Sequence, residues 1–257
     1  MTLYVFTGPT LSAEEGRREL DAVFLPPVAQ GDVYLVARKK PSAIGIIDGF
    51  FEHVLSVSHK EILWAMSQGI HVFGAASMGA LRAAELEAFG MVGVGAVFEA
   101  FRAGDLEADD EVAITHATAE ERYRPTSVAM VDIRATLCAA EAAGAIGGEA
   151  RTTLERIGKK LFYPDRCYPI LMATAAKDGV APEVLNGLCA FIAKHGQVDR
   201  KRLDALAMLR NMRESMVDNS MTKRITWHFE HTDAWEYIRR NAEQRNSFSD
   251  HHNTHER

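Results

Sequence analysis

Ser77 stands where a buried strand is predicted to turn into an amphipathic helix, a position at which a hydroxyl can act as a nucleophile. A short, mainly apolar run precedes it at residues 71–73, and apolar residues recur at helical spacing over residues 81–88. The first N–H groups of a helix have no intrahelical partner and carry the positive end of its dipole. We therefore predict that Ser77 attacks an acyl carbon while the amides of Met78 and Gly79 stabilise the oxyanion. A serine here can also serve only as the helix N-cap.

Lys60 is the predicted general base for Ser77. Ser58 and Glu61 have the spacing of a capping box, which places Lys60 in the first turn of another helix. The helix dipole and burial both disfavour an ammonium group at that position, and a neutral lysine can accept a proton. The alternative is an ordinary surface lysine whose stem packs on the protein while its charge remains in water.

Asp48 follows a nearly continuous apolar run, residues 43–49, which is typical of a buried parallel strand. The carboxyl ends of parallel strands meet at one edge of a sheet, where functional groups of open α/β folds collect. We therefore expect Asp48, Lys60 and Ser77 to converge there, with Asp48 available to bind substrate.

Gly8 and Thr10 lie in a third turn predicted at the same edge. They follow the apolar residues 3–7 and precede a helix whose start is marked by Ser12 and Glu15 in capping-box spacing. Gly8 and Thr10 could donate hydrogen bonds to the same substrate. Gly8 could instead be present because the turn needs a positive φ.

Two other kinds of site are less well supported. A Ser/His/Asp arrangement would need His59 or His71 beside Ser77, but His71 is predicted at the far end of its strand. His59 adjoins Lys60, and adjacent residues on a helix do not share a face. A phosphate pocket at the strand ends would suit helix N-termini, yet neither a G-x-G-x-x-G nor a Walker sequence is present.

Three strings carry a resemblance to a known family: FTGPTL, IIDGFFE and SHKEILWAMSQGIHVFGAASMGALRAAELEAFGMVGVG. They resemble the TfuA-like family, which accompanies YcaO enzymes in peptide backbone thioamidation, and the resemblance runs from the N-terminus to about Glu214. It implies a YcaO accessory protein with a hydrolase-like site on Ser77 and Lys60. That site would release sulfide from a thiocarboxylated ThiS-type sulfur carrier, and the precursor peptide would be met through YcaO.

A second function remains open, in which the protein is a noncatalytic adaptor that binds YcaO and activates it toward its peptide. Ser77 would then be only a cap, which Asp or Asn could replace. In the hydrolase, by contrast, a bulky residue at Gly79 should injure turnover by removing an oxyanion donor while sparing the fold.

Composition limits the remaining classes. The chain has 257 residues and a net charge of −6, and it lacks a basic stripe with interleaved aromatics, which argues against a nucleic-acid binder. The apolar stretches are too short and interrupted to cross a bilayer, and the N-terminus does not resemble a signal peptide. Three cysteines have no metal-like spacing. We expect a cytoplasmic protein without membrane contact, metal or cofactor.

The predicted fold class is α/β: an N-terminal open, mostly parallel sheet with flanking helices, followed by a mainly helical C-terminal half. Five segments there have apolar residues at helical spacing between Gly or Pro residues, namely 126–143, 148–161, 168–178, 181–194 and 199–218. We expect an α/β catalytic-like domain at residues 1–120, a helical domain packed on it at 121–218, an aromatic C-terminal segment at 219–243 and a disordered tail at 244–257.

Two further stretches stand out by composition. The acidic run at residues 105–111 is predicted to be a solvated loop or a dock for a basic partner. Trp227, Phe229, Trp235 and Tyr237 are predicted to fold back on the body of the protein, with a partner surface as the alternative.

Overall fold

The computed structural model describes residues 2–51, 54–217 and 225–252, with side chains described except at 217 and 247–252. Its centre is a sheet of five parallel strands in the order β2-β1-β3-β4-β5. The strands are β1 Leu3–Phe6, β2 Val23–Leu25, β3 Ala43–Ile46, β4 His71–Ala75 and β5 Val92–Val94. Strand order reverses between β1 and β3, and in doubly wound sheets a crevice for ligands opens at such a reversal.

Eleven α-helices are seen within the described residues. Those that alternate with the strands are α1 Ala13–Glu19, α2 Asp32–Ala37, α3 His59–Ser67, α4 Met78–Leu86 and α5 Ala96–Ala103. Those of the C-terminal half are α6 Met130–Ala142, α7 Gly148–Lys160, α8 Tyr168–Lys177, α9 Pro182–His195, α10 Arg200–Val217 and α11 Asp233–His252. The structure therefore confirms the predicted fold class.

Both faces of the sheet are covered by helices. Helices α2 to α5 cover the face that carries Ile44 and Val72. Helices α1 and α10 cover the other face, which carries Val5 and Phe73. A side chain at Gly45 would meet the sulfur of Met212 at 2.8 Å, so glycine there allows α10 to approach the sheet.

Helices α6 to α9 surround a separate apolar core. Each contributes a fully buried leucine, namely Leu137, Leu154, Leu171 and Leu188. Helix α10 follows them in sequence but packs on β3, β4 and β5. The domain boundaries at 120 and 218 stay a prediction, and α10 joins the two halves by its position on the sheet.

The C-terminal aromatic residues fold back on the body, as predicted for three of them. Trp235 is buried against Tyr34 of α2 and Trp64 of α3, with ring centroids 5.4 and 5.6 Å away. Phe229 joins this cluster, and the Trp227 indole donates to a backbone carbonyl at Phe89. Tyr237 differs, with 62% of its surface exposed.

The end of the chain is only partly within the described residues. Helix α11 continues to His252, so the described part of the tail predicted as disordered is helical. Residues 219–224 and 253–257 of the predicted segments lie outside the described residues. No helix among those described is long and apolar enough to span a membrane.

The acidic run is not simply a solvated loop. Glu111 is buried and receives two hydrogen bonds of 3.0 Å from Arg134 of α6. Asp110 pairs with Lys159 of α7 and with Arg166, whose side chain is 1% exposed. These two carboxylates fasten the loop to the helical half, because tertiary folding brings them cations that the local sequence does not contain.

Candidate active site

Ser77 lies in a sharp turn between β4 and α4. Ala76, the residue before it, has a φ of +66°, which a residue with a Cβ rarely adopts. Ser77 itself occupies the N-cap position and is 2% exposed. The predicted strand-to-helix joint is therefore present, and the turn is tighter than the sequence indicated.

The Ser77 side chain does not cap its helix. Its hydroxyl makes no hydrogen bond to the α4 backbone and instead lies 3.5 Å from the carbonyl oxygen of Val112. Residue 112 belongs to the long connection between the two halves of the chain. Capping therefore does not account for this serine, and its hydroxyl faces the cleft between the connection and the sheet.

Gly79 allows α4 to pack closely on β3 and does not serve as the predicted oxyanion donor. Its N–H donates to the carbonyl of Ile47 at 3.2 Å, so it is not free to stabilise an oxyanion. A Cβ on Gly79 would lie 1.8 Å from the carbonyl oxygen of Ile46. The expectation that a bulky residue here would spare the fold is therefore wrong, because the backbone of α4 touches β3 directly.

The other predicted oxyanion donor, the Met78 amide, lies beside Ser77. Among the described residues this N–H has no hydrogen-bond acceptor, and Met78 is 2% exposed. A buried amide without an acceptor is unusual, since nearly all such groups in folded proteins are paired. The amide of the residue after the nucleophile is also an oxyanion donor in strand-turn-helix hydrolases.

Lys201 is the lysine that the fold brings to Ser77. It lies near the start of α10, is 2% exposed, and its Nζ donates to the Val112 carbonyl at 2.9 Å. The same carbonyl oxygen faces the Ser77 hydroxyl. A serine and a lysine thus meet at one backbone oxygen, although the sequence places them in different halves of the chain.

Lys60 is placed elsewhere. Its Nζ donates to the carbonyl of Glu230 at 3.1 Å and lies 5.3 Å from the centre of the Phe229 ring. The capping box of Ser58 and Glu61 is present as predicted. The predicted contact between Lys60 and Ser77 is not formed, because the first turn of α3 faces the C-terminal segment. A catalytic role for Lys60 stays a prediction without a contact that supports it.

Asp48 organises the turn after β1. One of its oxygens accepts from the amides of Gly8 and Thr10 at 2.9 and 3.0 Å, and the other accepts from the Thr10 hydroxyl at 2.6 Å. These three groups were expected to bind substrate. The structure shows that they bind one another, since each donor that faced the edge of the sheet is already paired with the carboxylate.

Ser77 and Lys201 line a cavity of about 230 Å³ at the carboxyl edge of the sheet. Asp48 and His116 add polar groups to its wall. The remaining wall is largely apolar and includes Phe50, Phe51, Ile114 and Tyr163. This composition, mostly apolar with a few converging polar groups, is that of a small-molecule or chain-end site.

Comparison with known families finds a match to part of the chain. Residues 48–167, just under half of the chain, match the family model described as TfuA-like protein. These residues therefore form a TfuA-like domain. No protein with curated annotation matches it.

The matched segment includes only some of the residues of the candidate site. It begins at Asp48 and includes Ser77, Val112 and His116, whereas Lys201 lies beyond its end. The TfuA-like domain supports a general role as a TfuA-family accessory protein.

Lys201 and His116 are the site residues that sequence reasoning missed in this TfuA-like protein. Lys201 is one of several basic residues at the start of α10, where a solvated position is the ordinary expectation. Nothing local marks it, because its burial depends on how α10 crosses the sheet. No local motif marks His116 either.

Two other ionisable groups, Asp132 and His59, do not line the cavity. Asp132 accepts a hydrogen bond from the backbone N–H of Lys201 at 3.1 Å, and burial raises its pKa to about 6. His59 is occupied outside the cavity by Glu85, 2.7 Å away. The described residues contain no cluster of His, Cys, Asp and Glu that could hold a metal ion.

Proposed function

We propose that this TfuA-like protein releases sulfide from a thiocarboxylated ThiS-type sulfur carrier by nucleophilic catalysis at Ser77. The sulfide would serve a YcaO enzyme in peptide backbone thioamidation, and the precursor peptide would be met through that enzyme. Lys201 acts as the general base, the role that the sequence suggested for Lys60.

The shared carbonyl of Val112 is the observation that supports this proposal most directly. Its oxygen lies 3.5 Å from the Ser77 hydroxyl and 2.9 Å from the Lys201 Nζ. A catalytic serine needs a base within hydrogen-bond reach, and contacts in a substrate-free protein are often longer than in the reacting complex. Ser77 makes no cap bond that would give it a structural purpose instead.

The chemistry begins with attack of the Ser77 oxygen on the thiocarboxyl carbon. Lys201, in its amine form, accepts the serine proton as the C–O bond forms. The C–S bond then breaks, and the sulfur leaves as hydrosulfide after gaining one proton. Water hydrolyses the resulting acyl ester, so the net reaction converts thiocarboxylate and water into carboxylate and hydrogen sulfide.

The negative charge of the substrate makes nucleophilic attack difficult. A thiocarboxylate is already an anion, so attack by Ser77 creates a second negative charge next to the first. The Met78 amide can donate to the new oxyanion, and Lys201 becomes a cation as it accepts the proton. Both groups are buried, where such interactions are stronger than in water.

The size of the cavity fits a chain end. At about 230 Å³ it can hold a thiocarboxyl group and the last residue or so of a tail, whereas a folded carrier must stay outside. The apolar wall would exclude water from the reacting carbon until the sulfur has left.

Sulfide release from a thiocarboxylated ThiS-type protein tests the proposal. We expect S77A and K201M each to lose at least about 100-fold in rate, because each removes a group that acts in the transition state. K60M is the matched lysine control, and it should release sulfide at the wild-type rate. Thermal unfolding of each variant would verify the fold.

The same experiment separates the competing functions. Equal release by wild type and S77A would make the protein a noncatalytic adaptor for YcaO. If K60M lost sulfide release while K201M kept full activity, Lys60 would be the general base, as the sequence suggested. In either case Lys201 would be a structural lysine that fastens α10 to Val112.

A further inference from the structure

His116 is held against the Ser77 cavity by a small hairpin. Residues 115–126 form it, with a hydrogen bond of 2.8 Å from the Thr126 N–H to the Thr115 carbonyl. His116 pairs with Pro125 across the hairpin, and it lines the same cavity as Ser77. The hairpin thus places the His116 ring at the wall of the cavity.

Rings on two sides fix the orientation of His116. The ring of Phe50 lies 6.1 Å away between centroids, and that of Tyr123 lies 5.5 Å away in an edge-to-face arrangement. Aromatic contacts of this kind add stability beyond burial and favour one orientation of a half-buried ring.

A backbone oxygen fixes which nitrogen of His116 can exchange a proton. Nδ1 lies 2.8 Å from the carbonyl oxygen of Ala117. A carbonyl only accepts, so Nδ1 carries a hydrogen in both the neutral and the charged ring. Nε2 is then the nitrogen that gains and loses a proton, and it has no hydrogen-bond partner in the part of the chain that the structure describes.

We propose that His116 is the proton donor to the departing sulfur, a role that rests on the proposed function. The imidazolium Nε2–H gives its proton to the sulfur as the C–S bond breaks, and hydrosulfide leaves. The proton taken from Ser77 stays on Lys201 during that step. The ring regains its proton from the water that hydrolyses the acyl ester, while Lys201 returns its own to the Ser77 oxygen as the carboxylic acid leaves. The acid then gives up its proton and hydrosulfide takes one up, so the net reaction is again thiocarboxylate and water to carboxylate and hydrogen sulfide.

Asp48, Lys201 and Tyr123 do not replace the ring as a donor. Both oxygens of Asp48 already accept hydrogen bonds from the turn after β1. Lys201 faces the same cavity and is the proposed acceptor from Ser77. On the hairpin, burial and then the charge of Glu120 raise the pKa of Tyr123, which makes that hydroxyl a weaker acid.

Two substitutions separate proton donation from support of the hairpin. H116A removes the ring, whereas H116N keeps an N–H that can donate to the Ala117 carbonyl but cannot exchange a proton. H195A, at the exposed end of α9, is the control histidine. Sulfide release from the thiocarboxylated carrier would be measured against pH, with and without free imidazole.

We expect H116A and H116N each to slow release at least about 100-fold at neutral pH while H195A matches wild type. Free imidazole should raise the H116A rate severalfold, and the fall in wild-type rate at alkaline pH should be absent from both His116 variants. A wild-type rate in H116N, or slow variants that keep the wild-type pH profile and ignore imidazole, would overturn the proposal.

S77A run in parallel keeps the two proposals distinguishable. If S77A is inactive and His116 variants are unaffected, the hydrolase stands and only the proton donor is wrong. If S77A releases sulfide like wild type, the proposed function itself fails. The role of His116 as a donor in this reaction then fails with it.

Discussion

Glu61 shows at the scale of one residue how a buried carboxyl group can connect two helices. Its carboxylate accepts from the Ser58 amide at 2.7 Å at the start of α3. It also accepts from the amides of Gly31 and Val33 at the start of α2, at 2.9 and 3.1 Å. It therefore satisfies amides at two helix N-termini, although no cation balances its charge within these contacts.

Stability should depend on pH through this residue. Burial raises the pKa of Glu61 to about 7, above its ordinary value of 4.5. The stabilising contribution of the protonated form is complete below about pH 4.5 and is lost as pH rises through 7. We expect the free energy of unfolding of wild type minus that of E61Q to fall by roughly 3 kcal/mol between pH 4.5 and 8.

Urea unfolding at several pH values measures this difference. E14Q is the control, since Glu14 is exposed on α1. Parallel stability curves for wild type and E61Q would contradict the expectation.

At the scale of elements, the turn from β4 into α4 depends on close backbone contact. Gly74 and Gly79 face each other there, and a Cβ on Gly74 would lie 2.2 Å from the Gly79 carbonyl oxygen. With small residues at both positions, α4 can approach β3 and Ser77 can stand in the cleft. Close packing therefore requires both glycines, and this packing positions the Ser77 hydroxyl.

G79A should therefore destabilise the protein, because its methyl group would overlap the carbonyl of Ile46. We expect a loss of about 3 kcal/mol or more in the free energy of unfolding. G147A is the matched control, since Gly147 has a φ of −89° and open space around it. Chemical denaturation compares the two, and equal stability of G79A and G147A would contradict this account of the turn.

Local signals explain which parts of this architecture the sequence could predict. The capping box at Ser58 and the start of α1 at Ser12 are set by residues within one turn, and both occur as expected. The strand-turn-helix at Ser77 is local too. The partner of Ser77 is not, because Lys201 reaches it only when α10 crosses the sheet over Gly45. Strands β2 and β5, three residues each, are too short to give a periodic signal.

At the scale of the whole molecule, the C-terminal helix ties the end of the chain to its beginning. Trp235 of α11 fills the space between α2 and α3, and the Arg245 side chain donates to Asp32. Lys60 contributes through its bond to Glu230. The lysine suggested as a base thus belongs to a surface that holds the last segment in place.

W235A should loosen that attachment. Loss of a fully buried tryptophan costs about 3–5 kcal/mol, here concentrated at α11. Y237A, at a neighbouring position that is 62% exposed, should change stability by no more than about 0.5 kcal/mol. Hydrogen exchange of α11 amides is the measurement, and equal protection in the two variants would show that Trp235 does not hold the helix.

The carbonyl of Val112 has a consequence for how the protein is made. Translation delivers Ser77 and Val112 well before α10, so a growing chain carries its serine without its lysine. Only after synthesis has passed residue 201 can the two meet. A chain that ends before residue 201 is therefore expected to be inert in the proposed reaction, because it holds the serine without the lysine.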